Sequence, residues 1–422
     1  MLVPKSLTIL IAVCALPFSA HAESQWNQWR GPNRDGISNE RGLLKSWPKE
    51  GPKLLWQVEG LGTGFSSVAI ADDRIFTLGQ IDGEEHLISL DLSNGKRRWT
   101  LPFGKGDHSN GTPTVDGDRV YAVGLRGDLI CANAKTGAKI WSKNFEQDLD
   151  GKMMSGWGFS ESPLIDGDHL ICTPGGSDSI MAALNKRTGE TVWMASFPIL
   201  GDRGTDGAGY SSIVVSNAAG TKQYLQLTGR GIVSVRADDG KFLWGYNRIA
   251  NDVANIPTPI VDGDLVFCST GYGTGAALLK ITKEDDQFRA EEIYFLNAKQ
   301  FQNHHGGMIR VADHIFAGHG HNKGFPICLE ISTGKTKWGR SIRGEGKGSA
   351  AICYADGNLI FRYQDGTVAL IEATTKRYQL NGSFKPAFQE GNSWAHPVVF
   401  DGKLYLREQN VLMCYDISAP RK

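Results

Sequence analysis

Short runs of four to seven Val, Ile, Leu, Tyr or Phe residues, bounded by Gly, Asp, Asn or Pro, follow one another along most of the chain. Stretches dominated by helix-favouring residues are short, so the pattern predicts strands joined by tight turns. Two elements recur within it. The first is an Asp-Gly or Asp-Asp turn followed by an apolar strand, beginning at Asp72, Asp116, Asp166, Asp262, Asp356 and Asp401, with degenerate copies at Asp313 and near Tyr224. The second is a turn whose glycine stands four residues before a tryptophan: Gly95 and Trp99, Gly137 and Trp141, Gly189 and Trp193, Gly240 and Trp244, Gly334 and Trp338.

The repeat spacing of roughly 43 to 51 residues lies in the range of propeller blades. Each unit supplies an inner strand before the Asp turn, a second after it, a third before the glycine turn, and an outer one carrying Trp. Eight units can be counted, and the last, from Trp394 to Ser418, stops after three strands. Lys53-Leu54-Leu55-Trp56 has the look of the missing outer strand. Pairing it with the last unit would close the ring and remove open sheet edges. The expectation is all-β: an eight-bladed β-propeller of four-stranded antiparallel blades, completed by an N-terminal strand. Trp56, Trp99, Trp141, Trp193, Trp244 and Trp338 then serve as blade-docking residues, since each blade needs one large apolar contact at the same height.

The first 22 residues stand outside this pattern. Lys5, the apolar run Leu7–Leu16 and Ala20-His21-Ala22 have the form of a cleaved secretory signal, with Glu23 opening a single propeller domain over residues 23–422. The run is too short to span a bilayer comfortably. Export to the periplasm or beyond is expected, and lipid anchoring at Cys14 is disfavoured because Val13 precedes it where a small residue is wanted. The six later cysteines sit singly in apolar strands with no C-x-x-C pair, as buried free thiols do. Forty-five basic and 45 acidic residues balance, which gives no electrostatic reason to bind nucleic acid.

Chemistry in such a frame belongs where the blades depart from repetition. The departures cluster just before each inner strand, where equivalent positions should converge on the axis. Trp157, Glu161, Tyr210, Asn255, His304, His305, Lys347, Trp394 and His396 are the candidates for ligand binding at one channel mouth. Trp157 or Trp394 offers an aromatic face, Lys347 a cation, and Glu161 and Asn255 oxygen ligands for a divalent ion. His304 and His305 would point to opposite faces of a regular strand, so they should not share a metal, and no metal site is assigned. His108 or His396 could join one axial imidazole, while His319-Gly320-His321 reads as a solvated loop. No catalytic residue is assigned, because no nucleophile elbow, phosphate loop or zinc-protease motif is present.

The segment Ala132-Asn133-Ala134-Lys135-Thr136-Gly137 through Trp141 resembles the tryptophan-docking motif of pyrroloquinoline-quinone (PQQ) repeat propellers. That group includes quinoprotein alcohol dehydrogenases and the non-enzymatic lipoprotein of the outer-membrane β-barrel assembly machinery. Trp26-Asn27-Gln28-Trp29-Arg30-Gly31-Pro32 and Trp394-Ala395-His396-Pro397 resemble exported PQQ-like proteins. The resemblance implies a cell-envelope binding or scaffold protein with a protein partner or small ligand at one face. The alternative it implies is a PQQ-dependent oxidoreductase acting on an alcohol or sugar, its planar polyanionic quinone and calcium held by the aromatic, cationic and oxygen groups named above. The chain lacks the adjacent cysteine pair and the haem-binding motif of those enzymes. A third function, polysaccharide binding through exposed tryptophans such as Trp157, is also consistent with the residues.

Overall fold

The computed structural model describes residues 25–420; the predicted signal segment and Cys14 lie outside them. Eight four-stranded antiparallel blades follow one another, and within the first seven the blade strands pair in chain order. Blade one comprises Ala69–Ala71, Arg74–Ile81, Glu84–Asp91 and Arg97–Lys105. Blade eight comprises Val398–Phe400, Lys403–Glu408 and Val411–Asp416, and its outer strand is Lys53–Val58 from the other end of the chain. Trp56 stands opposite Cys414 in that pairing. The expected closure is therefore present. Among the described residues no helix is long and apolar enough to cross a membrane, and all six described cysteines are buried and free.

The glycine-to-tryptophan repeat explains how the blades dock. The turn glycines Gly95, Gly137, Gly189 and Gly240 all have φ between +72° and +76°, in the left-handed region. The indole of the preceding blade lies flat against each. A Cβ at Gly137 would fall 2.7 Å from the Trp99 ring, and one at Gly95 would fall 2.8 Å from Trp56. Glycine is thus needed twice, for its backbone conformation and for the missing Cβ. The Trp99 N–H donates to the Ala134 carbonyl of the next blade (3.2 Å), and that of Trp141 donates to Lys186 (3.1 Å).

Two blades solve the same problem differently. On blade five Tyr294 takes the tryptophan's place, packing on Gly334 and donating its hydroxyl to the Ile331 carbonyl at 2.5 Å. On blade seven the outer strand Leu380–Phe384 carries no tryptophan, and Phe384 meets Trp47 edge-on at 5.3 Å. Trp244 also departs from the rule: its N–H donates to Gln223 of its own blade (2.7 Å) while its ring packs with the cluster shared with blade five. The expectation of a tryptophan on every outer strand is corrected accordingly, since a tyrosine with a reachable carbonyl satisfies the same contact.

The axis holds something that the repeat does not foretell. Residues 26–38 lie across it, touching the inner strands of several blades. The Trp26 carbonyl accepts from Ile70 N–H (2.8 Å) and that of Asn27 from Val115 (2.8 Å). Ile37–Ser38 adds a parallel strand to Tyr354 and Ala355 of blade seven. Arg30 donates to the carbonyls of Asp35 and Met308, and Arg34 to those of Ser162 (2.6 Å) and Pro163 (3.2 Å). Both guanidiniums are buried, which lowers their pKa to about 10, still charged at neutral pH. Carbonyls from several blades take the place of water around them. This segment is a plug, and it shuts the channel from the end where the Asp turns lie.

Truncating Trp56 to Ala removes the indole that seats on Gly95 and seals blade eight to blade one. It should cost roughly 2–4 kcal/mol of unfolding free energy, as other buried aromatic truncations do. Amide exchange should accelerate first in residues 53–58 and 411–416. Uniform acceleration over all eight blades would mean that this strand is not a separate latch.

Candidate functional site: the axial cavity

The segments entering the inner strands are locked to one another by a belt of hydroxyls. Ser67 N–H donates to Thr112 Oγ1 (3.2 Å), Thr112 N–H to Ser162 Oγ (2.9 Å), and Ser162 N–H to Ser212 Oγ (3.0 Å). The Ser67 hydroxyl closes back onto the His396 carbonyl of blade eight at 2.8 Å. Each link pairs a backbone donor that has no strand partner with a small side chain one blade further on. The belt sets equivalent positions at one height, and the residues around it face a common space.

That space is a cavity of about 510 Å³ at the mouth opposite the outer end of the plug. Its walls are aromatic: Phe65, Trp157, Tyr210, Tyr272 and Trp394, with Trp29 of the plug as its floor. Four histidines join them: His108, His304, His305 and His396. The remaining polar groups on the lining are Asn110, Ser160, Ser212, Thr258 and Asn392. No Asp, Glu, Lys or Arg side chain is on it. Trp157 stands at the rim, 58% exposed.

Three of the imidazoles, His304, His305 and His396, are held neutral by burial, while His108 Nδ1 stands 2.7 Å from Asp107 Oδ1. Burial pushes His304 down to about 2, with His305 and His321 adding to the effect. Its Nδ1 is 2.7 Å from Ser349 Oγ and its Nε2 3.0 Å from the Tyr272 hydroxyl, so the ring is pinned at both ends. Burial also lowers His305 and His396, the latter further disfavoured as a cation by Arg30 and Arg362. His396 meets the floor, 4.5 Å from Trp29 in an edge-on contact.

A buried ion pair holds this wall from behind. Arg362 bonds Glu408, and its other nitrogen donates to the Ala395 carbonyl at 3.1 Å. Glu408 also accepts from the Ser393 hydroxyl (2.5 Å) and the Glu390 N–H (3.2 Å). Its carboxylate thereby fixes the segment that presents Asn392, Trp394 and His396.

Of the residues singled out in the sequence, Trp157, Tyr210, His304, His305, Trp394 and His396 come together on the lining. Three do not. Glu161 is buried behind the wall, accepting from Thr173 N–H (2.7 Å) and facing Arg34 of the plug. Asn255 is spent on backbone, donating to the carbonyls of Thr228 (3.0 Å) and Gly229 (3.1 Å). Lys347 is exposed and off the lining. Two local expectations also fail. His304 and His305 are not on a strand but in a bend ended by Gly306 (φ +45°), and their rings stack at 3.8 Å, side by side instead of on opposite faces. His321 is half-buried instead of fully solvated, and it packs 4.1 Å from His304 and 4.5 Å from Tyr272. Trp29, Phe65 and Tyr272 were missed, and of these Trp29 had a signal in the tryptophan-rich opening segment.

Residues 83–340, more than half of the chain, match the PQQ-repeat family model described as "Outer membrane protein assembly factor BamB". The chain belongs to this family. A curated relative, the outer membrane protein assembly factor BamB of Burkholderia pseudomallei, is 29% identical over 117 residues, which are 25% of this chain and 27% of that one. The match thus spans about a quarter of the relative's length. Among solved structures, a europium-containing methanol dehydrogenase superposes with a TM-score of 0.63 at 13% identity, over 92% of this chain and 89% of its own. The quinohemoprotein alcohol dehydrogenase of Comamonas testosteroni gives 0.64 at 11% identity, over 94% and 81%. What these two have in common with this chain is the fold.

The cofactor that names the repeat does not fit the cavity. A polyanionic quinone needs cationic donors, and its divalent partner needs oxygen anions. The lining offers neither, and the buried carboxyls behind it are already committed: Glu161 accepts from the Thr173 N–H and is raised to about 8 by burial, and Glu408 is paired with Arg362. Among the described residues no three His, Cys, Asp or Glu side chains are grouped to hold a metal ion.

Glu161 provides a test of the buried wall. Its folded form keeps a proton up to about pH 8, whereas an unfolded glutamate loses it near about 4.3. Its contribution to stability is therefore complete below about pH 4 and is lost as pH rises towards about 8. Glu161→Gln, which keeps the protonated shape, should flatten the fall in urea-unfolding free energy across that window. Glu85, raised to about 7 by burial, leaves part of the slope in place. Equal slopes in both proteins would show that Glu161 is already ionised in the folded state.

Proposed function

We propose that this chain is a non-catalytic binding or scaffold propeller of the cell envelope, serving outer-membrane protein assembly as its family's description states. Residues 1–22 act as a removable export signal, and residues 23–422 form one propeller domain acting in the periplasm or outside the cell. The observation that carries the proposal is the cavity at the axial mouth: preformed, aromatic, and with no Asp, Glu, Lys or Arg on its lining. The nearest approach to a reactive pair, Ser349 with His304, supports binding too. Ser349 is buried off the lining and also bonds Asn322 (3.2 Å), while the far nitrogen of His304 meets a tyrosine where an orienting carboxylate would be needed. A protein partner is served by the rim, where Trp157 and Val253 are both exposed and are tied together through Ser155, whose hydroxyl donates to the Val253 carbonyl (2.6 Å). Exposed aromatic groups on a rigid support are the residue type that anchors protein interfaces.

Photo-crosslinking in the native host tests this. A photoreactive residue at position 157 should yield a discrete adduct with a component of the outer-membrane assembly machinery, and one at Asp168, at the opposite end of the axis, should not. Purified protein supplied with PQQ and calcium should show no dye-linked oxidation of alcohols or sugars. Adducts at neither position would sink the scaffold role, and sustained oxidation would sink the non-catalytic one.

A further inference from the structure

We propose that the axial cavity binds the end of a neutral saccharide chain, a ligand class that deepens the non-catalytic reading above and rests on it only in requiring that the sugar leave unchanged. Three features of the cavity lead there together.

The first is the hydrogen-bonding character of the wall. Asn, Ser, Thr, Tyr and neutral His each both donate and accept. Apart from the indoles and His108, which is paired with Asp107 at 2.7 Å, every polar side chain on this lining is of that kind, with no donor-only Lys or Arg and no acceptor-only Asp or Glu. A sugar hydroxyl is likewise donor and acceptor at once. An anion would call for charge-assisted donors, and a metal cation for oxygen anions.

The second is unused capacity. Among the described residues, the Asn392 amide and the Thr258 hydroxyl bond no protein group, and Asn110 uses only its NH₂, donating to Ser160 Oγ (3.0 Å) and the Trp157 carbonyl (3.2 Å), with its Oδ1 left over. A purely apolar ligand would cover these groups and leave them unpaired, at a cost of about 1–3 kcal/mol each. A polyol satisfies them.

The third is shape. Trp157 and Trp394 offer indoles at the mouth, on which the apolar C–H face of a pyranose packs as other flat apolar groups do. Trp29 closes the floor, so the cavity is blind and admits a chain end, not a chain passing through. Its size, about 510 Å³, lies within the ~300–1,000 Å³ of small-molecule sites.

The purified protein would be titrated with chitotetraose, cellotetraose and maltotetraose, reading tryptophan fluorescence and calorimetric heat, with choline and an uncharged leucine-rich peptide as rival probes. At least one tetrasaccharide should bind saturably with Kd below about 1 mM, with little change on raising the salt. Trp394→Ala should weaken it by about tenfold or more, as loss of an aromatic platform does, and Asn392→Ala by several-fold. Trp338→Phe, on an outer strand away from the mouth, should leave it intact. No binding by any saccharide up to about 10 mM, binding indifferent to Trp394→Ala, or binding of choline or the peptide in place of the sugars would overturn the proposal. Recovery of the saccharide unaltered keeps the non-catalytic reading. Its cleavage or oxidation would overturn that reading while leaving sugar recognition standing, and the crosslinks from position 157 report on the scaffold role independently of both.

Discussion

The structure depends on an aromatic ring of one blade seating on the turn of the next, which at four junctions is an indole lying on a left-handed glycine: Trp56 on Gly95, Trp99 on Gly137, Trp141 on Gly189 and Trp193 on Gly240. Neither partner works alone. With a side chain at Gly137 the Trp99 ring would be forced off, because a Cβ would stand 2.7 Å from it. Without the ring, the turn would present an uncovered hollow to the neighbouring sheet. Because the contact joins consecutive blades, a ring built from it must close on itself or leave one blade undocked. Trp56 on Gly95 supplies the closing contact, carried by a strand borrowed from the start of the domain. A mechanical consequence is that the two ends of the chain are held by each other, and the segment before Trp56 is obliged to cross from the axis at residues 26–38 to the outer edge, where Trp47 and Gly51 meet the outer strand of blade seven.

That obligation gives the plug its meaning. A propeller's inner strands leave a channel lined by backbone, and small residues in them widen it. Here residues 26–38 fill it, using Arg30 and Arg34 as crossbars whose donors reach carbonyls on different blades. The same segment supplies Trp29 as the cavity floor. The cavity is accordingly part of the closure of the fold, formed between the hydroxyl belt and the plug, and does not require an inserted domain or a lid.

The ring was legible because its signals are local and periodic. Asp turns, glycine turns and tryptophans recur at fixed offsets, and the missing eighth outer strand could be found by its likeness to the others. The convergence of Trp157, Tyr210, His304, His305, Trp394 and His396 followed from the same geometry, since equivalent positions in successive blades face one axis. What escaped was whatever broke the period. Glu161 and Asn255 occupy the right height but turn outward, one to Thr173 and Arg34, the other to the carbonyls of Thr228 and Gly229, because unpaired backbone groups there compete for polar side chains. His304 and His305 share a face because Gly306 bends the segment, so the alternation of a strand never applied. The plug has no repeat to reveal it, and its arginines read as ordinary surface charges until their carbonyl partners are seen.

Charge around the cavity is sorted: the lining carries no Asp, Glu, Lys or Arg, and the ions behind it are paired. The buried charged groups behind the wall are committed to the frame: Arg362 to Glu408 and the Ala395 carbonyl, Arg407 to the carbonyls of Leu61 and Gly62, Glu85 to the Leu125 N–H. These bonds run between blades and stiffen the wall, while the surface they support stays neutral. A site that stabilises developing charge needs the reverse, with charges or dipoles aimed inward and unpaired until the substrate arrives. Fixed neutral walls with aromatic faces suit a ligand held for its shape and its hydroxyls or amides, and the fold that elsewhere holds a quinone here keeps its ions in the masonry.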